Sequence, residues 1–136
     1  MSKLRSMVPA IVLAILSSTN VAAHPPLQEV PEIDEEVFYI AVADVIRKEC
    51  DRIDARTIRA ISRMLEINAR ARELGYGDTE INEYLDSEDN KERMREKGRE
   101  LFESRAVNPE KPENLCQMGF EEIKNQTRIG ELLRVK

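Results

Sequence analysis

The chain has one imidazole and two thiols, the groups most often used as nucleophiles, proton carriers and soft metal ligands: His24, Cys50 and Cys116. If the chain is cleaved before His24, the new α-amino group and the imidazole form a bidentate pair suited to copper. No second histidine exists to complete such a site, and Pro25 removes the next backbone nitrogen as a ligand. We therefore predict no metal site and no cofactor.

The two cysteines suit a structural role better than a catalytic one. Redox cysteines lie close together in Cys-x-x-Cys motifs, whereas Cys50 and Cys116 are far apart in the chain. An exported protein enters an oxidising compartment, where a lone pair of cysteines normally forms a disulfide. The sequence therefore predicts one structural disulfide between them.

Catalytic groups are otherwise scarce. The chain has no Gly-rich phosphate-binding loop, and its single histidine lies on a Pro-rich segment. Carboxylates are so abundant that no particular pair of them stands out as a general acid and base. We predict that the protein is not an enzyme.

Two charged features are candidates for structural or binding roles. Asp44 is the one charge in the apolar segment "VFYIAVADVI", and it could form a buried ion pair with Arg72 on the next helix. The alternative is a local pair with Arg47 or Lys48. Separately, four arginines align on one helix face, which could dock an acidic partner protein or anionic headgroups, or could be an ordinary solvated surface; this ridge comprises Arg56, Arg59, Arg63 and Arg70.

The first 23 residues are typical of a secretory signal peptide. Lys3 and Arg5 precede the apolar run Met7 to Leu16, and small residues end the segment at Ala23. The apolar run is about half the length that a membrane-spanning helix needs. We predict cleavage between Ala23 and His24, export to the periplasm or beyond, and no integral membrane segment in the mature chain.

The mature chain should be acidic. Loss of Lys3 and Arg5 leaves 19 of the 21 basic residues against 26 acidic ones, a net charge near −7. Such a surface repels phosphate backbones. Nucleic acid is therefore not an expected partner.

Helical periodicity dominates the rest of the sequence and predicts an all-α fold, a small bundle of four to five helices with one disulfide. An extended Pro-rich arm, residues 24–33, should precede a single helical domain of residues 34–136. The predicted helices are a central apolar one from Asp34 to about Cys50, a second from Asp54 to Leu74, a third from Asp78 that kinks or restarts near Ser87, one capped by Asn114, and a short last one capped by Thr127.

The second of these helices has two adjoining apolar stripes. We predict that together they form one wide buried face, opposite the arginines. The first stripe comprises Ala60, Met64, Ile67, Ala71 and Leu74, and the second comprises Ile58, Ile61, Leu65 and Ala69.

Several short blocks occur in an order that resembles a known family: "YIAVADVIRKEC", "ARTIRAISRM", "ARELGY" and "IGELLR". They are similar to domain of unknown function 5333, a family of small exported bacterial proteins. The resemblance covers Glu35 to Arg134 and includes both cysteines. It implies a helical fold and a periplasmic or secreted setting, and it implies no activity.

A looser likeness is to small periplasmic helical proteins with a disulfide, such as acid-stress chaperones and the immunity proteins that neutralise effectors. The segment "FYIAVADVIRKEC" resembles the immunity proteins. We therefore expect an exported protein that binds another envelope protein or has a structural role in the envelope. A stress chaperone or an immunity-type inhibitor is the alternative. The sequence does not identify the partner or the oligomeric state.

Overall fold

The computed structural model describes residues 23–136, and the predicted signal peptide lies almost wholly outside them. Five α-helices account for most of the described chain, which confirms the all-α bundle. They are α1 (Pro31–Glu49), α2 (Thr57–Glu73), α3 (Asp78–Asp86), α4 (Glu88–Ser104) and α5 (Pro112–Lys124). None of the helices in residues 23–136 combines the length and the apolar character needed to cross a bilayer.

Helix α1 is the centre of the bundle. It packs against α2, α4 and α5, and it buries Phe38, Val42 and Ile46 among them. The helix begins three residues before the predicted N-cap Asp34, because Pro31 occupies the first helical position, where its missing N–H costs nothing. The predicted arm is therefore shorter than expected, and it contains a 3₁₀ turn at Leu27–Glu29.

The sequence predicted either a kink or a restart near Ser87, and the structure has a restart. Helix α3 ends at Asp86, and the Ser87 side chain accepts a hydrogen bond from the backbone N–H of Asn90 at 3.2 Å. This cap starts α4 in a new direction. The restart lets Tyr84 on α3 and Met94 on α4 both reach the core.

A short antiparallel ladder was not predicted from the sequence. Strand β1 (Ile53–Ala55) pairs with β2 (Leu133–Val135), with Asp54 opposite Arg134. Three-residue strands are too short to show a period-2 pattern. The ladder displaces the start of α2 from Asp54 to Thr57, and the predicted last helix is only a 3₁₀ turn at Gly130–Leu132.

The predicted disulfide between Cys50 and Cys116 is present and joins the C-terminal end of α1 to α5. Both sulfurs lie in the core beside Leu115 and Leu133. Helix α5 begins with Pro112, and its N-cap is Lys111 and not the predicted Asn114. The bridge therefore fixes the last helix against the central one.

Candidate functional site

The arginine ridge on α2 is held by contacts within the same chain, and its role in docking an acidic partner stays a prediction. Each of its four guanidinium groups bonds to another part of the same chain. Arg56 donates to the carbonyl oxygen of Leu133 at 3.0 Å, and Arg59 donates to that of Glu131 at 3.4 Å. Arg70 pairs with Glu32 of α1 at 2.7 Å. The arginines thus fasten α2 to α1 and to the C-terminal segment.

Arg63 is the most enclosed member of the ridge, with 14% of its side chain exposed. Its guanidinium contacts Glu36 of α1 at 2.6 Å and Glu131 near the C-terminus at 3.3 Å. Burial opposes the charge, but the hydrogen bonds to these carboxylates hold the pKa of Arg63 above its usual value. Arg63 therefore joins three segments of the chain through one charged group.

Replacing Arg63 by Gln should lower the free energy of unfolding by about 2 kcal/mol, the usual size for lost hydrogen bonds to charged groups. The cost is expected because Glu36 is itself largely enclosed, with 18% of its side chain exposed. Urea unfolding would measure it. The matched control is Arg95→Gln, which removes an exposed ion pair between Arg95 and Glu92 of the same helix, α4. It should change the free energy of unfolding little. Equal effects of the two substitutions would contradict this role of Arg63.

The second apolar stripe of α2 is exposed, contrary to the prediction of one wide buried face. The exposed fractions are 83% for Ile58, 56% for Ile61 and 64% for Leu65. The arginines occupy the space against α1 and the C-terminal segment, so only Ile67 and Ala71 of α2 are fully buried. We call Ile58, Ile61 and Leu65 the α2 stripe.

The ion pair predicted between Asp44 and Arg72 is also wrong. Asp44 contacts Arg47 at 2.6 Å and Lys48 at 2.5 Å, one turn further along α1, as the alternative proposed. Arg72 is exposed on α2 and pairs with Asp78 at 2.9 Å. Each side chain pairs with an opposite charge close by in sequence, so Asp44 and Arg72 do not pair across α1 and α2.

Asp34, which sequence reasoning assigned to a helix cap, is one of two buried carboxylates in the described residues, and the other is Glu122 of α5. Only 7% of the Asp34 side chain is exposed. Tyr84 of α3 donates a hydrogen bond to it at 2.8 Å, and Arg93 and Lys97 of α4 each contact it at 3.1 Å. Asn90 joins the group by accepting from Arg93 and donating to the Tyr84 carbonyl at 2.6 Å. We call these five residues the Asp34 cluster.

In the Asp34 cluster, burial and hydrogen bonding shift the pKa of Asp34 in opposite directions. Burial opposes ionisation of Asp34, but hydrogen bonds from Arg93, Tyr84 and Lys97 outweigh it and hold the pKa of the carboxyl below its usual value. Burial and the Asp34 charge raise the pKa of Tyr84 far above its usual value. The oxygens of Asp34 are committed to these partners, which is the arrangement of a structural ion cluster and not of a proton-transfer site.

His24 lies against the body of the protein. Its ring is 5.0 Å from that of Tyr76, centroid to centroid, and it covers Gly75, which adopts a φ of +97° at the end of α2. The Tyr76 hydroxyl donates to the Pro25 carbonyl at 2.5 Å. Within residues 23–136, no three His, Cys, Asp or Glu side chains cluster as a metal site would require.

The fold and these contacts define a class: a small all-α protein closed by one disulfide, with buried charge clusters. The model of a family of unknown function (DUF5333) matches residues 25–134. The chain belongs to this family, as the sequence blocks predicted. No curated protein and no solved structure matches it.

Proposed function

We propose that the protein is exported, has no enzymatic activity, and works by binding another protein through the α2 stripe. The observation that supports this is the exposure of Ile58, Ile61 and Leu65 on a helix whose other side is held by ion pairs. Exposed apolar side chains that line up over two turns commonly mark protein-binding surfaces. The spacing of three and four residues matches the anchors that one helix presents to a partner.

The arginines at the start of α2 indicate the chemistry of the partner. Arg56 and Arg59 line a surface depression of about 1000 Å³ together with Ile58. In the described part of the chain they contact backbone carbonyls and no carboxylate, so each keeps donors for an incoming acidic group. The expected partner surface is an apolar ridge bordered by carboxylates. A protein that binds such a partner could be an immunity-type inhibitor.

Site-specific photo-crosslinking in the native compartment tests this proposal. A photoreactive residue placed at Ile61 should give an adduct with one acidic partner, whereas the same residue at Gln117, an exposed position on α5, should not. An adduct between two copies of the chain, or equal labelling from both positions, would contradict the proposal.

The variant Ile58→Glu with Leu65→Glu should abolish the Ile61 adduct. Both positions are exposed and glutamate suits a helix at least as well as isoleucine, so the melting temperature should stay within a few degrees of the wild type. A lost adduct with an unchanged melting temperature would separate binding from folding. A retained adduct would argue against the α2 stripe.

The Asp34 cluster favours a second candidate function, an acid-stress chaperone. One carboxylate links α1, α3 and α4, and its protonation would weaken all three contacts together. The chain has 26 carboxylates and one histidine, so acid would also make it strongly positive. Suppression of malate dehydrogenase aggregation at pH 3, together with binding of a hydrophobic dye, would favour this function. An inert, compact protein at pH 3 would exclude it.

A further inference from the structure

A second surface, remote in sequence from the α2 stripe, lies between α1 and α4. The two helices leave an open groove of about 810 Å³. Its α1 side carries apolar residues one helical turn apart, and its floor is made by buried residues of both helices. They are Val37, Ala41 and Val45 on the side, and Val42, Met94 and Phe102 on the floor.

Gly98 stands in the middle of α4 at this groove, where the fold itself does not need a glycine. A Cβ atom built on Gly98 would have no atom within 4 Å beyond its chain neighbours and the backbone of its own helix. Glycine in a helix interior is less stable than alanine, because it loses more backbone freedom on folding. Gly98 itself is buried, so a larger side chain at this position would extend into the groove.

The rim of the groove is basic in a chain that is acidic as a whole. Its charged lining residues are four cations and one carboxylate, namely Lys48, Lys91, Arg95, Arg99 and Asp44. The four cations are between 46% and 61% exposed and pair with carboxylates within one turn of their own helices. Such exposed pairs contribute little to stability, so these cations can exchange partners at low cost.

We propose that this groove binds an acidic amphipathic helix of another protein, with the apolar face of that helix against Met94 and Phe102. A helix laid into an apolar groove is a common mode of peptide recognition, and the basic rim selects for carboxylates on the incoming helix. A second copy is a poor occupant, because a two-fold contact would set the four cations of one rim against those of the other. The inference does not depend on the α2 stripe.

Fluorescence anisotropy with designed peptides tests the groove. The probe is a labelled 18-residue peptide with Leu at helical spacing and Glu at the other positions, and its control has Lys in place of every Glu. Only the Glu peptide should bind, and its affinity should fall as salt is added. Equal binding of both peptides, or no binding of either, would overturn the proposal. Laurate that binds the groove and displaces the Glu peptide would assign the site to lipid instead.

Two substitutions of Gly98 separate binding from folding. Gly98→Leu fills the groove and should weaken binding of the Glu peptide at least tenfold. Gly98→Ala should raise the melting temperature by about 3 to 6 °C, because a helix-favouring residue enters open space. A melting temperature lowered by Gly98→Ala, or unaltered affinity in a folded Gly98→Leu protein, would count against the groove.

Further variants distinguish this site from the proposed docking surface on α2. Arg95→Glu with Arg99→Glu should reduce both the affinity for the Glu peptide and its dependence on salt. Ile58→Glu with Leu65→Glu, on the α2 stripe, should leave that affinity unchanged. Loss of peptide binding in the α2 variant alone would place the peptide on α2 and overturn the groove proposal.

Discussion

Replacing Asp34 by Asn should lower the free energy of unfolding by roughly 2 to 4 kcal/mol, near the range seen when one partner of a buried ion pair is removed. The amide occupies almost the same volume, so the loss reports charge and hydrogen bonding and not packing. Arg93 and Lys97 would remain beside a neutral group, and the Tyr84 hydroxyl would lose its charged acceptor. The two cations are 35% exposed and can be partly hydrated, which keeps the cost from being larger.

The matched control is Asp44→Asn on the same helix. Asp44 also contacts two cations, Arg47 and Lys48, but 38% of its side chain is exposed. Its substitution should change stability by no more than about 1 kcal/mol. Urea unfolding at neutral pH would measure both variants, and equal losses would show that burial of Asp34 contributes nothing.

The same cluster determines how stability depends on pH. The pKa of Asp34 is lowered in the folded protein, so the unfolded chain binds a proton at a higher pH than the folded one. The stabilisation is therefore complete above the unfolded pKa, near 3.8, and is lost as pH falls through the folded pKa. Between these values wild-type stability should decrease more steeply than that of Asp34→Asn. Parallel pH profiles for the two proteins would rule out this linkage.

Several features of the fold could be predicted because they depend on local sequence. The break between α3 and α4 follows from Ser87, which can cap only the helix that starts after it. The disulfide follows from the number of cysteines and the expected compartment. The short ladder of β1 and β2 pairs residues such as Asp54 and Arg134, which are 80 positions apart in the chain, and three-residue strands carry no periodic pattern.

The orientation of α2 was mispredicted for a physical reason. Hydrophobicity alone would bury Ile58, Ile61 and Leu65 and expose the arginines, but arginine can be enclosed when carboxylates and carbonyls from other segments meet it. Arg63 finds Glu36 and Glu131, which are distant in sequence. No single-helix pattern contains that information, so the exposed apolar stripe could be found only in the folded protein.

The sequence contained a signal for the burial of Asp34. It lies four and eight residues before Phe38 and Val42, so it shares the buried face of α1 with them. A carboxylate on a buried stripe requires cations on a neighbouring element. Arg93 and Lys97 stand four residues apart on α4 and meet that requirement. Their pairing with Asp34 depends on how α1 and α4 pack, which the sequence alone does not specify.

Removing the disulfide should have the largest effect of any change considered. The Cys50–Cys116 bridge closes a loop with a sequence separation of 66. In the chain-entropy account, its loss increases the freedom of the unfolded chain and lowers the free energy of unfolding by about 4 kcal/mol. For a domain of this size, which has only about 5 to 15 kcal/mol in total, that is a substantial fraction.

The test uses a double variant that carries both Cys50→Ala and Cys116→Ala. Its unfolding in urea is compared with that of the oxidised wild type. The double substitution avoids a free thiol, and the small gaps that it leaves beside Leu115 and Leu133 add to the loss. Wild type reduced with dithiothreitol keeps both sulfur atoms and so isolates the effect of the bond from that of packing. If the oxidised and reduced proteins unfold within about 1 kcal/mol of each other, the bridge does not stabilise the domain as the loop-entropy argument requires. If only the double variant is destabilised, the contribution of the two cysteines is their packing between α1 and α5.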